Sequence, residues 1–201
     1  MADRYCSYDE LRFAESPDAF AITVTDRNTP AVIVAPHGGK IEPGTSQIAA
    51  AVALDEFSVY IFDGKKPSDN TDLHITSVRF DEPMALALVT RSECCVTVHG
   101  AAGAEAVVFL GGLHEALKTL LRERLTDAGF EVAESTDPDL QGTHPLNICN
   151  RGASRTGAQL EITRGLRDAL ADQTDPQAPD RLASFAGAVR GAIKASSCAG
   201  S

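Results

Sequence analysis

Residues 31–46 read AVIVAPHGGKIEPGTS, a short apolar run that leads through a glycine-rich turn into a candidate helix start. The β-branched run at 31–35 predicts a buried strand. Thr45 or Ser46 is a suitable N-cap for a helix that continues through the alanine-rich segment to about Asp55. Because a strand, a tight turn and a helix in succession form the repeating unit of α/β proteins, this stretch predicts an α/β fold.

The same alternation of strand and helix patterns continues along the chain. Leucines spaced on one helical face predict a helix over 113–125, and a second apolar stripe predicts a helix that begins after Asp180. The segment 171–179 contains two prolines and is predicted to be a linker, and 195–201 is predicted to be a frayed tail. The predicted strands, which we expect to form a mostly buried sheet, are 21–25, 31–35, 58–62, 94–99, 106–110, 131–133 and 159–163.

Size and charge limit the classes of function. A chain of 201 residues with 43% hydrophobic residues fits one core, so we expect residues 1–201 to form a single domain. A net charge of −10 disfavours nucleic acids and anionic membrane surfaces as partners. No run approaches the roughly 20 apolar residues that cross a bilayer, and the first residues lack the apolar core of a signal peptide. We therefore expect a soluble protein, cytoplasmic as synthesised, with a monomer favoured.

Cysteine usage and absent motifs exclude further classes. Five cysteines, two of them adjacent (Cys94 and Cys95) and none in a Cys-x-x-Cys pair, indicate neither a disulfide framework nor a cysteine-based zinc site. The sequence lacks the Gly-x-Ser-x-Gly turn of serine hydrolases, the phosphate loop of nucleotide-binding proteins and the His-Glu-x-x-His helix of thermolysin-like enzymes. We therefore expect the protein to reside in a reducing compartment and to have a function outside these motif-based classes.

Two histidines follow strand signals and are themselves followed by glycine. His37 comes after the run at 31–35, and His99 after the run at 94–98. Parallel strands place their carboxyl ends at one edge of an open sheet, where ligands bind. A loop with two glycines can fold Glu42 back towards His37, and two imidazoles with one carboxylate form the shell of a catalytic zinc. The alternative for each histidine alone is a hydrogen-bonded loop residue.

The segment 159–163 contains a further candidate acid, Glu161. Strand alternation predicts that its side chain shares a face with Gln159, opposite Leu160 and Ile162. An acid at this place could take a proton from water and transfer it to a leaving amine. The alternative is an ordinary solvated glutamate. The window 151–167 contains four arginines and one acid, which suggests a substrate with carboxylates or, alternatively, a charged surface.

These segments together resemble the poly-gamma-glutamate hydrolase family of bacteriophages and bacilli. The resemblance covers roughly residues 31–167 in order and rests on five motifs. They are Pro36-His37-Gly38-Gly39-Lys40-Ile41-Glu42-Pro43-Gly44-Thr45-Ser46, Leu73-His74-Ile75-Thr76-Ser77, Val98-His99-Gly100, Asn147-Ile148-Cys149-Asn150-Arg151, and Gln159-Leu160-Glu161 with Arg164 and Arg167. The first motif is the most specific.

The resemblance implies a zinc carboxypeptidase-like α/β fold, a three-layer sandwich in which helices flank a mixed sheet. It implies one Zn²⁺ per chain, bound by His37, Glu42 and His99. It also implies that Glu161 is the catalytic acid/base.

Four residues are candidates for binding the substrate. The pair Asn150-Arg151 resembles the pair with which zinc carboxypeptidases bind a substrate carboxylate, and Arg155 and Arg164 lie nearby in the sequence. The role of His74 and Ser77 is left open, with a structural hydrogen-bonding histidine as the simplest interpretation of His74. His114 and His144 are expected to have no role in the site.

The function predicted from this pattern is zinc-dependent hydrolysis of the γ-glutamyl amide bonds of poly-γ-glutamate by a metal-activated water. The partner would be an anionic γ-glutamyl polymer or peptide, which the protein could reach after release by cell lysis. Two alternatives are a zinc amidohydrolase or deacylase of small N-acyl amino acids, and a non-catalytic binding module on the same scaffold.

Overall fold

The computed structural model of the chain describes residues 3–196. Seven strands form a single sheet, and helices precede, separate and follow them. The strands are β1 (Phe20–Thr25), β2 (Ala31–Gly39), β3 (Ser58–Gly64), β4 (Cys94–Ala101), β5 (Val107–Gly111), β6 (Glu131–Ala133) and β7 (Ala158–Thr163). The helices are α1 (Tyr8–Ala14), α2 (Thr45–Ala53), α3 (Pro83–Arg91), α4 (Glu115–Asp127), α5 (Arg164–Ala171) and α6 (Ala178–Ala195).

The sheet is mixed, with the strand order β1-β3-β2-β4-β7-β5-β6. The four central strands β3, β2, β4 and β7 are parallel, β1 is antiparallel to β3, and β5 and β6 run opposite to the central strands. The α/β prediction with a mixed sheet is therefore confirmed. Because the central strands are parallel, the carboxyl ends of β2, β4 and β7 lie at the same edge of the sheet.

The first face of the sheet is covered by α2, α4, α5 and α6. Alternate residues of the central strands, such as Ile33, Val96 and Leu160, pack there against the leucines of α4 and the apolar stripe of α6. The three predicted helices of this layer, α2, α4 and α6, are present, with slightly shifted ends. The layer is continuous, so the first face forms a closed hydrophobic core.

The second face is covered only in part. Leu11 of α1, Leu88 of α3 and Phe80 pack over β1, β3 and β2. Beyond this cluster, β4 and β7 present polar side chains to the same face, namely Thr97, His99, Gln159 and Glu161. The second face therefore has a hydrophobic part and a polar part, and the polar part lies at the carboxyl ends of the strands.

Several local predictions differ from the structure. Helices α1, α3 and α5 were not predicted, because each is short. In addition, α3 closely precedes β4, and α5 directly follows β7. Neither Thr45 nor Ser46 caps α2: Gly44 occupies that position with φ +99° and no side-chain cap, and Ser46 instead donates to Asp63. The linker is shorter than predicted, because α6 begins at Ala178.

Two further observations concern the chain ends and membranes. Ala195 ends α6 and Ser196 follows it, so the rest of the predicted tail, with Cys198, lies outside the described residues. Within residues 3–196, none of the helices combines the length and the apolar character that crossing a bilayer requires.

Candidate functional site

Three side chains that could hold a metal ion meet at the carboxyl edge of the sheet. Nδ1 of His37 lies 3.2 Å from Oε1 of Glu42 and 3.2 Å from Nδ1 of His99. One ligand atom of each residue lies within 4.8 Å of the others. Two nitrogens and one carboxylate oxygen are the donor types that a zinc site with an open position uses.

An extra residue in β2 decides which way His37 points. Ala35 pairs with Ile61 of β3 and Gly38 with Asp63, so β2 has one more residue than β3 in this interval. Ile33 and Ala35 face the helix-covered core, and regular alternation would send His37 there too. The extra residue reverses the alternation, and the His37 ring instead lies 6.3 Å from that of Phe80 on the second face.

Glycines then fold the chain back so that Glu42 reaches His37. A Cβ on Gly38 would lie 2.3 Å from Oγ of Ser46, and Gly39 has φ +63°, so side chains are excluded at both positions. The amide of Glu42 donates to the carbonyl of His37 at 3.0 Å. The short turn therefore holds the carboxylate beside the imidazole, as the sequence predicted.

His99 and Glu161 lie side by side on neighbouring strands. They are register partners in the parallel pair β4 and β7, and both point to the second face, opposite Val98 and Leu160. Nε2 of Gln159 donates to Oε1 of Glu161 at 2.8 Å, which shows the shared face that alternation predicted. The sheet thus fixes the relative position of one candidate ligand and the candidate acid.

Hydrogen bonds behind the rings orient the two histidines. Nε2 of His37 lies 2.8 Å from the carbonyl of Ile75, which can only accept, so Nε2 carries the hydrogen and Nδ1 of the neutral ring keeps its lone pair. Nε2 of His99 lies 3.4 Å from Oγ of Ser77. Both Nδ1 atoms therefore face Glu42 and each other, an arrangement typical of metal-binding histidines. Ser77, whose role the sequence left open, lies behind the His99 ring.

The charges of the three candidate ligands are complementary. Burial opposes ionisation of Glu42, but His37, His99 and the Gly100 amide, which donates to Oε2 at 2.8 Å, lower its pKa to about 2. Burial likewise opposes protonation of His37, but the Glu42 carboxylate raises its pKa above the ordinary value. Burial and repulsion from His37 lower the pKa of His99 to about 3. At neutral pH Glu42 is ionised and the His99 ring is neutral, which are the states that bind a metal.

Glu161 has the opposite electrostatic environment. Its side chain is buried, and burial together with repulsion from Glu42 raises its pKa well above the usual value. The hydrogen bond from Gln159 offsets only part of this increase. A buried carboxyl with a raised pKa beside candidate metal ligands is a candidate for proton transfer.

These groups line an open cavity of about 650 Å³. One wall of the cavity is formed by the segment 74–79. This segment is bonded to the N-terminal part of the chain through Asp3. The Asp3 carboxylate accepts from His74 Nδ1 at 2.8 Å, from the Thr76 amide at 2.8 Å and from Arg79 Nη2 at 2.7 Å. His74 in turn stacks on His37 with ring centroids 4.0 Å apart. His74 is therefore part of the cavity wall as well as hydrogen-bonded.

None of the four predicted substrate-binding residues lines this cavity. Asn150 is buried and bonds to the backbone of Gly142, His144, Leu113 and Gly157. The Arg151 guanidinium donates to the carbonyls of Val78, Phe80 and Leu146. Arg164 pairs with Asp168 on the exposed side of α5, and Arg155 is exposed.

Asn150 and Arg151 thus connect the backbone of the cavity walls, and their polar groups are directed at carbonyls and amides of the chain itself. Their predicted contact with substrate has no geometric support in the structure. The four arginines of the window 151–167 also differ in their surroundings, because Arg151 and Arg167 bind carbonyls while Arg155 and Arg164 face solvent.

The sequence reasoning missed several cavity residues. Asp3 and Arg79 lie far apart in sequence and follow no recognised motif, so only the fold brings them together. His144, expected to have no role, lines the cavity from an exposed loop. His114 lies elsewhere and caps α4, where its Nδ1 accepts from the Leu117 amide.

Comparison with known proteins identifies the family of this chain. The sequence profile described as poly-gamma-glutamate hydrolase matches residues 5–185. The structure of a bacteriophage poly-gamma-glutamate hydrolase superposes with a TM-score of 0.89 at 32% sequence identity, covering 96% of this chain and 98% of the other. A zinc-free apo structure of YndL gives a TM-score of 0.88 at 31% identity, with the same coverages.

A curated relative is similar over a shorter part of its own length. The SPbeta prophage-derived protein YoqZ of Bacillus subtilis strain 168 is 38% identical over 163 residues, which are 81% of this chain and 59% of YoqZ. The chain therefore spans about three fifths of the length of this relative. Because the family profile covers most of the described chain and the fold matches throughout, the chain belongs to the poly-gamma-glutamate hydrolase family.

Proposed function

We propose that this protein is a zinc-dependent hydrolase of the γ-glutamyl amide bonds of poly-γ-glutamate. The observation that carries the proposal is the convergence of His37, Glu42 and His99 within 4.8 Å, beside the buried carboxyl of Glu161. Family membership supports the substrate class, and the name of the zinc-free YndL structure supports the metal.

The three converging residues fit a zinc ion. The donors are two imidazole nitrogens and a carboxylate, and the bond to the Ile75 carbonyl leaves the Nδ1 lone pair of His37 directed at the cluster. When bound, zinc supplies Lewis-acid chemistry that makes amide hydrolysis accessible near neutral pH. His37, Glu42 and His99 would hold one ion per chain.

Glu161 would act as the general base and then as the general acid of the reaction. Hydrolysis forms a bond between a water oxygen and the carbonyl carbon, breaks the carbon–nitrogen bond and leaves a proton on the departing amine. Glu161 would accept a proton from the attacking water and donate it to that nitrogen. Gln159 keeps the carboxyl in one orientation through its hydrogen bond to Oε1. Its raised pKa makes the Glu161 carboxylate a stronger base than an ordinary glutamate, which favours accepting the proton of the water.

Recognition of the substrate would depend on Arg79. Each unit of a γ-linked glutamate polymer carries a free α-carboxylate, and Arg79 is the one Arg or Lys among the described residues that line the cavity. Its guanidinium is half-exposed, and its bonds to Asp3 and to Cys6 Sγ leave other N–H groups for a ligand. Arg79 would thus provide the carboxylate contact that the sequence had assigned to Asn150 and Arg151.

A polymer digestion tests this function. Purified protein reconstituted with one equivalent of Zn²⁺ is incubated with poly-γ-glutamate, with and without a chelator, and polymer length is followed by size-exclusion chromatography. We expect shortening that the chelator abolishes and that added zinc restores. A Glu161→Gln variant is compared in the same assay. Its matched control is Glu93→Gln, which removes one negative charge at an exposed residue before β4 and should leave shortening intact.

Two other outcomes would contradict the proposal. Turnover of N-acylglutamate without polymer shortening would indicate a deacylase of small substrates. Polymer binding without cleavage, in zinc-loaded wild type and in the Glu161→Gln variant alike, would indicate a non-catalytic binding module.

A further inference from the structure

One buried arginine connects the three chain segments that carry the site. Arg167 of α5 is 5% exposed, and its guanidinium donates to three backbone carbonyls. Nε donates to Ile162 at 3.0 Å, Nη2 donates to Ala101 at 3.1 Å, and Nη1 donates to Pro43. These acceptors follow Glu161, His99 and Glu42 by one, two and one residues.

The backbone next to His99 leaves room for this guanidinium. A Cβ on Gly100 would lie 2.6 Å from Cζ of Arg167, so any side chain at this position would displace the guanidinium. The amide of the same Gly100 donates to Glu42 Oε2 at 2.8 Å. The guanidinium therefore packs directly behind the strand that presents His99 and beside the carboxylate that completes the candidate metal site.

From these contacts we infer that Arg167 is a positioning residue for the site. Its planar fork fixes the distances among the Glu42 turn, the end of β4 and the end of β7, and thereby those among two candidate ligands and the proton-transfer residue. A lysine could not do the same, because a single ammonium on a flexible stem lacks the fixed fork that reaches three divergent carbonyls. This inference rests on the proposed function for its catalytic consequence, but not for its effect on metal binding.

The test compares Arg167→Lys and Arg167→Gln with wild type, using Zn²⁺ alone as the probe. Zinc affinity is measured by competition with a chromophoric chelator, and folding by circular dichroism. Removing a residue behind metal ligands typically costs about 10–100-fold in affinity. We expect a loss in this range for both variants, with the folded spectrum kept. With the polymer, kcat should fall by a similar factor while KM changes less than about threefold, because Arg167 does not line the cavity.

Two further variants sharpen the result. Gly100→Ala forces the guanidinium to move without changing any charge, so it should reproduce the loss of zinc affinity. Arg164→Gln removes an exposed arginine three residues away on the same helix and should leave zinc affinity within twofold of wild type.

The inference would be overturned by either of two results. Zinc affinity of Arg167→Lys within threefold of wild type would show that the fork is not needed. Loss of the folded state in Arg167→Lys would show that Arg167 serves the fold alone. If the wild type binds zinc but leaves the polymer intact, the proposed function fails while the zinc measurements still test the role of Arg167.

Discussion

Replacing Glu161 by glutamine separates catalysis from metal binding. The substitution keeps the shape of the side chain and one acceptor oxygen for Gln159 Nε2, now 2.8 Å away, but removes the group that exchanges protons. General acid–base catalysis contributes about 10²–10⁴-fold, so kcat should fall by this factor, equivalent to about 3–5.5 kcal/mol of activation free energy. Since Glu161 is not among the converging donors, one equivalent of zinc should remain bound.

The same variant should change the stability of the metal-free protein in a pH-dependent way. The folded-state pKa of Glu161 is raised by burial and by Glu42, so the folded wild type holds this proton more tightly than the unfolded chain. The contribution of Glu161 to wild-type stability therefore falls as the pH rises above about 4.3, the ordinary glutamate pKa, and the variant lacks this contribution. In chelator, Glu161→Gln should be the more stable protein at pH 8, and the difference should vanish near pH 4.

The assays are polymer digestion, metal content after desalting, and denaturant unfolding at pH 4, 6 and 8 in chelator. Glu93→Gln is the control for the loss of one negative charge. Turnover within tenfold of wild type at equal zinc content would refute the catalytic assignment. Loss of the metal together with turnover would instead place Glu161 among the ligands.

Three further predictions concern the rest of the cavity. His99→Ala should weaken zinc binding beyond the roughly 100-fold upper range of residues behind the ligands, and stoichiometric zinc in this variant would refute the proposed metal site. Arg79→Gln should raise KM for the polymer about tenfold with kcat within threefold, as expected for one lost charge-assisted hydrogen bond, whereas Arg155→Gln should change neither parameter; equal KM values in both variants would exclude Arg79 from substrate binding. Asp3→Asn should cost about 2 kcal/mol, or a Tm decrease of roughly 4–8 °C at pH 7, because the Asp3 carboxylate accepts from His74 and from the wall backbone. Burial opposes ionisation of Asp3, but these hydrogen bonds lower its pKa, so its stabilisation is present above about pH 4 and lost as the pH falls through the folded-state pKa; a Tm difference independent of pH from 7 to 3 would contradict this assignment.

The parts of the fold that local patterns could predict are those with strong periodicity. The β-branched runs at β2 and β4 and the leucine stripe of α4 follow directly from which residues must be buried. Helices α1, α3 and α5 have 7, 9 and 8 residues, and their stability comes from packing on the sheet and not from their own sequences. A single sequence therefore contains too little local information to place them.

The site was predictable where its residues lie next to each other along one turn or at the ends of adjacent strands. Glycine spacing was enough to suggest that Glu42 folds back to His37, and strand alternation placed Glu161 beside Gln159. The substrate-binding expectation for Arg151 rested on the resemblance of the Asn150-Arg151 pair to that of zinc carboxypeptidases. The structure shows that its donors go to carbonyls of the cavity wall, because the irregular segments around it need partners for their buried backbone groups.

The extra residue between Ala35 and Gly38 means that the candidate metal site depends on the irregular pairing of β2 with β3 as well as on side-chain identity. If the regular pairing of β2 with β3 continued through Pro36, the His37 imidazole would face the apolar layer between the sheet and α2. All three donors would still be encoded, but only two could meet. For variants of this scaffold, keeping the histidine is therefore not sufficient, and the irregular pairing that turns its side chain to the second face has to be kept with it.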